Sequence, residues 1–232
     1  MNVHDIAGLK VGLDYSYPRL RNQAAAYICE EQPTNFNIQL SKEFLLARQK
    51  ESPHLTLENC EYIWTGSCFY HYLVHFSGML LHASAVIYNG YAYLFSAPSG
   101  TGKSTHTQLW CRTFPGAEIL NDDKPAIRIL QDGIYVYGTP WSGKTSLNLN
   151  KKVPLGGICF LERSMENFIE KMDSKEAIGR LLNQTVRPAQ MQDMDLLLQT
   201  MDKLLTGADV YRMGCNISED AAKMAYQAMK KD

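Results

Sequence analysis

The sequence predicts an α/β protein: a mixed sheet that carries one loop-bound helix, with further helices toward the C-terminus and a small N-terminal annex. Three observations point there. Asn89-Gly90 and Asp132-Gly133 each stand between β-rich runs, and such pairs signal hairpins because the turn favours positive φ. The strand-like run Tyr91–Ala97 ends in a loop of small residues that opens a helical stretch. Three helical patterns dominate the last sixty or so residues. Two adjacent hairpins do not fit a simple alternation of strands and helices, so the sheet should mix directions.

Residues 1–77 form the expected annex. Ala25–Glu30 and Phe36–Leu40 alternate like short strands. Within Cys60–Met79, the placement of Phe69, Leu73 and Val74 fits a helix lying on a core. Residues 78–232 form the main unit. Strands are expected at Leu81–Tyr88, Tyr91–Ala97, Glu118–Asn121, Ala126–Leu130, Ile134–Tyr137 and Gly156–Leu161, with a further one at Ala208–Gly214. Helices are expected at Lys103–Thr113, Ser174–Val186, Met191–Leu205 and Ser218–Lys230. The stripe Met191, Met194, Leu197, Leu198, Met201 and Leu205 reads as core, and Tyr70, His71, Tyr72 and His75 as packing and surface.

The composition is that of an ordinary globular chain: 232 residues, 45% hydrophobic and 20% charged. A net charge of −1 gives no broad basic field, so neither nucleic acid nor an anionic membrane is an expected partner. No stretch approaches the roughly 20 apolar residues of a membrane span. The first residues, MNVHDIAGLK, lack a basic-then-apolar leader, so a cytoplasmic protein is expected. Six scattered cysteines, with no C-x-x-C pair, read as reduced thiols.

The chemistry concentrates at Ala97-Pro-Ser-Gly-Thr-Gly-Lys-Ser-Thr105, which follows the phosphate-loop (P-loop) pattern G-x-x-x-x-G-K-[ST] except that Ala97 replaces the first glycine. Ser99, Gly100, Thr101, Gly102, Lys103, Ser104 and Thr105 are the expected nucleotide-binding residues. Gly100 and Gly102 let successive N–H groups turn inward on an anion. The helix beginning at Lys103 adds its positive end. Lys103 supplies a full charge for the β- and γ-phosphates, and the Ser104 hydroxyl is placed for magnesium. Ile119-Leu-Asn-Asp122-Asp123 then supplies two acids at the end of a short apolar run. One acid would hold Mg2+ and the other would take a proton from an attacking hydroxyl. ATP and Mg2+ are the expected ligands.

Leu80-Leu-His82-Ala-Ser-Ala-Val, Ser-Gly-Thr-Gly-Lys-Ser-Thr and Leu-Asn-Asp-Asp, in that order, resemble the catalytic domain of HPr kinase/phosphorylase. ATP-dependent phosphoenolpyruvate carboxykinase belongs to the same superfamily. The resemblance covers about residues 78–130. It implies that His82 lies near the transferred phosphate, that Asp122 is the acid/base group and that Asp123 stands on the metal side. It also implies a sheet of that superfamily's type. Residues 1–77 differ in character from the large N-terminal domain of full-length HPr kinases, and the glycine-rich signature late in that family's catalytic domain is absent. The nearer likeness is to small peptide-kinase-like members.

Further candidates lie downstream. Thr139, Trp141, Ser142 and Lys144, in Gly138-Thr-Pro-Trp-Ser-Gly-Lys, have the makings of a substrate or phosphate loop, with Trp141 free to stack on a ring. Arg163 and Arg187 are candidates for the γ-phosphate. The function expected is transfer of the γ-phosphate of ATP to a hydroxyl, on a Ser or Thr of a peptide or protein. The alternatives are a carboxykinase-like or small-molecule kinase and a non-catalytic nucleotide-binding accessory protein. The sequence leaves the oligomeric state open.

Overall fold

The computed structural model describes residues 1–30 and 33–231. The chain opens on a hairpin of β1 (Asn2–Ile6) and β2 (Leu9–Leu13), followed by α1 (Pro18–Ala24), β3 (Ile28–Cys29), β4 (Phe36–Ile38), α2 (Lys42–Glu51) and α3 (Leu57–Leu73). The four strands form one sheet in the order β3-β1-β2-β4, with β4 parallel to β2. The hairpin has no sequence signal of the Asn-Gly kind. Its turn is Ala7-Gly8, with φ of +55° and +71°. The first half of the expected strand at Ala25–Glu30 is a 3-10 turn, and only Ile28–Cys29 pairs with β1. The helix expected at Cys60–Met79 runs instead from Leu57 to Leu73, with the Thr56 hydroxyl accepting from Asn59 N at its start.

A larger sheet follows. Its strands are β5 (Gly78–Leu80), β6 (Ala83–Tyr88), β7 (Tyr91–Ser96), β8 (Glu118–Asp123), β9 (Ala126–Leu130), β10 (Gly133–Tyr137), β11 (Lys152–Arg163), β12 (Phe168–Lys171) and β13 (Val210–Cys215). Helix α4 (Lys103–Thr113) lies between β7 and β8. Helices α5 (Ser174–Asn183) and α6 (Met191–Gly207) precede β13, and α7 (Glu219–Met229) closes the chain. The order is β5-β9-β10-β11-β7-β6-β8, with β13 on β11 and β12 on β13. Strand β11 pairs antiparallel with β10 at its start and parallel with β7 and β13 further on, so the sheet is mixed and curls along this one strand. The first hairpin turn is Asn89-Gly90, with both φ positive. In the second the turn falls one residue early: Leu130 pairs with Gly133, which opens β10.

Alternation along the central strands sorts the core. Tyr93 and Phe95 of β7, with Cys159 and Leu161 of β11, pack with Trp110 of α4 and the alanines of α7. Ala92 and Leu94, with Ile158 and Phe160, pack with Leu181 of α5 and Leu197, Met201 and Leu204 of α6. The sheet therefore lies between two helical layers. A third cluster joins Ile6, Val11, Leu20, Tyr27 and Phe69 to Leu80, Ala126, Tyr137 and Trp141. The first seventy residues thus share a continuous core with the rim of the large sheet. No helix among the described residues is long and apolar enough to cross a membrane.

Candidate active site

Strand β7 ends at Ser96, and α4 starts seven residues later with Gly102 at its N-cap and no side-chain cap. The loop between them turns on Gly100 and Gly102, with φ of +79° and +119°. Nothing lies within 4 Å of where either Cβ would stand, so backbone conformation, not crowding, calls for glycine there. Ala97, at the place of the missing first glycine, is not among the residues with positive φ, so its methyl group is tolerated. The uncapped first turn leaves N–H groups free to meet an anion. Lys103 Nζ donates to the Ala97 carbonyl at 2.8 Å, folded back along the loop. Burial lowers its pKa, and Asp123 and Asp122 oppose that shift.

The two acids are the last two residues of β8, and adjacent strand residues point to opposite faces. Asp122 pairs across β6 with Ser84, whose hydroxyl bonds Thr107 of α4 at 2.7 Å, so Asp122 shares the α4 face. It is buried, and its Oδ1 has no hydrogen-bond partner. Each oxygen of Asp123 has a partner. His82 Nε2 is 3.1 Å from its Oδ1, and Lys124 Nζ donates to Oδ2 at 2.9 Å. Burial raises the Asp123 pKa, but the His82 hydrogen bond and the Lys124 charge together outweigh it and hold the carboxyl below its ordinary value. Asn121 braces the turn by accepting from Lys124 N at 2.8 Å and Asp123 N at 3.2 Å.

A cavity of about 520 Å³ gathers these groups. It is lined by His82, the loop from Ser99 through Thr105 except Thr101, both aspartates and Gly143–Thr145. Its inventory is a helix N-terminus with a lysine for an anion, an orphaned carboxylate oxygen and a serine for a cation, and a histidine–aspartate pair for a proton. Among the described residues no group of three or more His, Cys, Asp or Glu is placed to hold a metal. A small hard cation that keeps waters and phosphate oxygens, as Mg2+ does, needs only one or two protein ligands. The unsatisfied Oδ1 of Asp122, with Ser104 in the lining of the same cavity, fits that demand.

The downstream candidates divide. Thr139, Trp141 and Ser142 are core residues, and this corrects the substrate-loop expectation for them. Thr139 is wholly buried, with its hydroxyl on the Lys124 carbonyl and Tyr70. Trp141 is 1% exposed, stacks on Phe69 at 5.0 Å and donates to the Thr65 hydroxyl, so neither face is open to a ligand ring. The Ser142 hydroxyl donates to Gln23. Lys144 is exposed on the cavity wall. Arg163 stands across the loop and donates to the Gly100 carbonyl at 2.6 Å. Arg187 is exposed and does not line this cavity.

Several contributors had no signal in the sequence. Gln184, past the end of α5, presents Oε1 to His82 Nδ1 at 3.1 Å and accepts the His82 backbone N–H at 2.7 Å. Arg19 of α1 donates to the Gly143 carbonyl, while Tyr62 of α3 accepts from Gly143 N, both at 2.9 Å. The Arg19 guanidinium lies 3.8 Å over the Tyr62 ring. All three come from 80 residues or more away along the chain.

The family model of the SynChlorMet cassette protein ScmC matches residues 48–222, well over half of the chain. The chain belongs to the ScmC family. The matched segment takes in α3, the loop and α4, both aspartates and the first turn of α7. No curated protein matches this ScmC family member. Among solved structures, the Hpr(Ser) kinase/phosphatase from Coxiella burnetii matches with 8% identity and a TM-score of 0.37. It covers 64% of this chain and 95% of its own, a likeness too distant to inform the site.

Proposed function

We propose that this protein is an ATP-dependent phosphotransferase that moves the γ-phosphate onto a hydroxyl, on a Ser or Thr of a peptide or protein. The observation that carries the reading is the meeting, in one cavity, of the uncapped α4 start with Lys103, the unpartnered Asp122 Oδ1 and the His82–Asp123 pair. Each group answers a separate need of phosphoryl transfer.

The backbone N–H groups from Ser99 to Ser104 surround the phosphate chain, and Lys103 exchanges the Ala97 carbonyl for phosphate oxygens. Ser104 and Asp122 are the residues that would hold Mg2+, and the ion would neutralise negative charge on the nucleotide's phosphates. Asp123 takes the acceptor's proton as the new O–P bond forms and the bond to the β-phosphate oxygen breaks, with ADP leaving. His82 and Lys124 keep Asp123 ionised and oriented until then. These roles exchange the two aspartates relative to the assignment carried by the HPr kinase resemblance. The support for the exchange is that Asp122 has an oxygen with no partner, while each Asp123 oxygen already has one. Lys144, exposed on the same wall, faces the γ-phosphate or an acidic flank of the acceptor.

The test is incubation with labelled ATP, Mg2+ and Ser/Thr peptides, with mass spectrometry of the products. A gain of one phosphate on a peptide hydroxyl is expected. Label appearing only on small-molecule hydroxyls selects the small-molecule kinase. Tight nucleotide binding with no transfer to any acceptor selects the accessory role.

A further inference from the structure

The loop has a second side. Gly100, Gly102 and Thr105 line the acidic cavity and also a larger one, of about 630 Å³, against β11 and β13. This follows from topology: β7 feeds the loop, β6 and β8 flank it on one side, and β11 and β13 on the other. The two cavities differ in chemistry. The first holds both aspartates and His82. The second has no carboxylate in its lining and is walled by Leu109, Leu161, Cys215 and Ile217, with Arg163 at the loop. A volume of that size lies within the range of small-molecule sites, which pair apolar walls with a few polar groups.

One of its polar groups is unsatisfied. His106, one turn into α4, lines this cavity and is only 3% exposed. Trp110 Nε1–H donates to its Nε2 at 3.2 Å, which assigns the proton of the neutral ring to Nδ1. That Nδ1 is buried with no partner. A buried donor left unpaired is destabilising, and a ligand acceptor that reached it would remove that cost. At the rim, Ile217 is 79% exposed, an isoleucine with no cover.

We infer that this second cavity takes the nucleobase and ribose of the nucleotide, with the triphosphate crossing the loop toward the aspartates. The inference rests on the nucleotide reading above and adds to it an orientation and a set of base-side residues. Leu109, Leu161 and Ile217 bound an aromatic ring, and His106 supplies a donor to the ribose or the α-phosphate end.

The experiment compares ATP with inorganic tripolyphosphate, both with Mg2+, by titration calorimetry. The proteins are the wild type, Ile217→Asp, which sits at an exposed position, and Ser164→Trp, which fills the cavity. ATP should bind the wild type more tightly than tripolyphosphate does. Each variant should lose about tenfold or more in ATP affinity while tripolyphosphate stays within about twofold. If Ser164→Trp does not fold, Ile217→Asp decides alone. Equal loss for both probes, or loss for neither, overturns the inference. So does a wild type that binds the two equally, which leaves the loop reading standing. A wild type that binds neither probe overturns the nucleotide reading itself and this inference with it.

Discussion

His82 Nε2 stands 3.1 Å from Asp123 Oδ1, while the adjacent Asp122 leaves its Oδ1 without any partner. Two neighbouring carboxylates so differently placed should fail differently. Asp122→Asn should weaken Mg2+-dependent nucleotide binding by about tenfold or more, since one ligand charge is lost. Asp123→Asn should bind nucleotide as the wild type does and lose about 10²–10⁴ in rate, the usual range for general-base help. Calorimetry and single-turnover rates separate the two, and the opposite pattern returns the roles to those of the HPr kinase resemblance.

Lys103 supports no core. Its ammonium group rests on the Ala97 carbonyl. Lys103→Ala should therefore keep the wild-type unfolding midpoint and lose transfer. Lys103→Arg should also fail, because a planar fork replaces a compact charge inside a tight loop. A folded Lys103→Ala protein with full transfer would remove the lysine from the mechanism.

Trp141 acts on stability instead. Its ring is stacked on Phe69 and its N–H is held by Thr65. Trp141→Ala should cost about 3–5 kcal/mol in urea unfolding, the range for deleting a buried aromatic side chain. The folded fraction should keep its nucleotide affinity. A variant of unchanged stability with poorer substrate binding would restore the stacking role that the residue type first suggested.

His106 adds a pH dependence. Burial lowers its pKa to about 4, against about 6.5 in an unfolded chain. The group is neutral when folded, so the unfolded state binds the extra proton between those values. Stability is fully present above about pH 6.5 and falls as pH drops toward 4, by up to roughly 3 kcal/mol from this residue. His106→Gln, which still offers Trp110 an acceptor, should flatten that slope in urea titrations at pH 7 and pH 5. An unchanged slope would mean that His106 titrates normally.

Much of the candidate site is legible in the sequence because the residues that line its cavity lie in short consecutive runs. The loop, the start of α4 at Lys103 and the acid pair each depend on a few consecutive residues. The Asn89-Gly90 turn is legible for the same reason. What the sequence conceals depends on distance. Trp141 reads as a loop aromatic because the residues that bury it, Thr65 and Phe69, lie about seventy positions earlier. Gln184 has no motif and acts only because the chain after α5 passes His82. The first hairpin escapes notice because Ala7 takes a positive φ that alanine seldom adopts. The acids read as the end of a strand and are the last two residues of β8; what the sequence does not give is the pairing of both with β6, which sends the two carboxylates to opposite faces.

The grip of Arg19 and Tyr62 on Gly143 has a mechanical consequence. Both polar groups of that one peptide position are tied to helices of the N-terminal layer, and the residue's Cα lies against Asp123. The backbone beside Lys144 therefore cannot yield to an incoming substrate alone. Any displacement there levers on α1 and α3 and, through the Phe69–Trp141 stack, on the shared core beneath them. Residues outside the cavity lining thus set the stiffness of one of its walls, and changes in the first layer will be felt as changes in how readily that wall gives way.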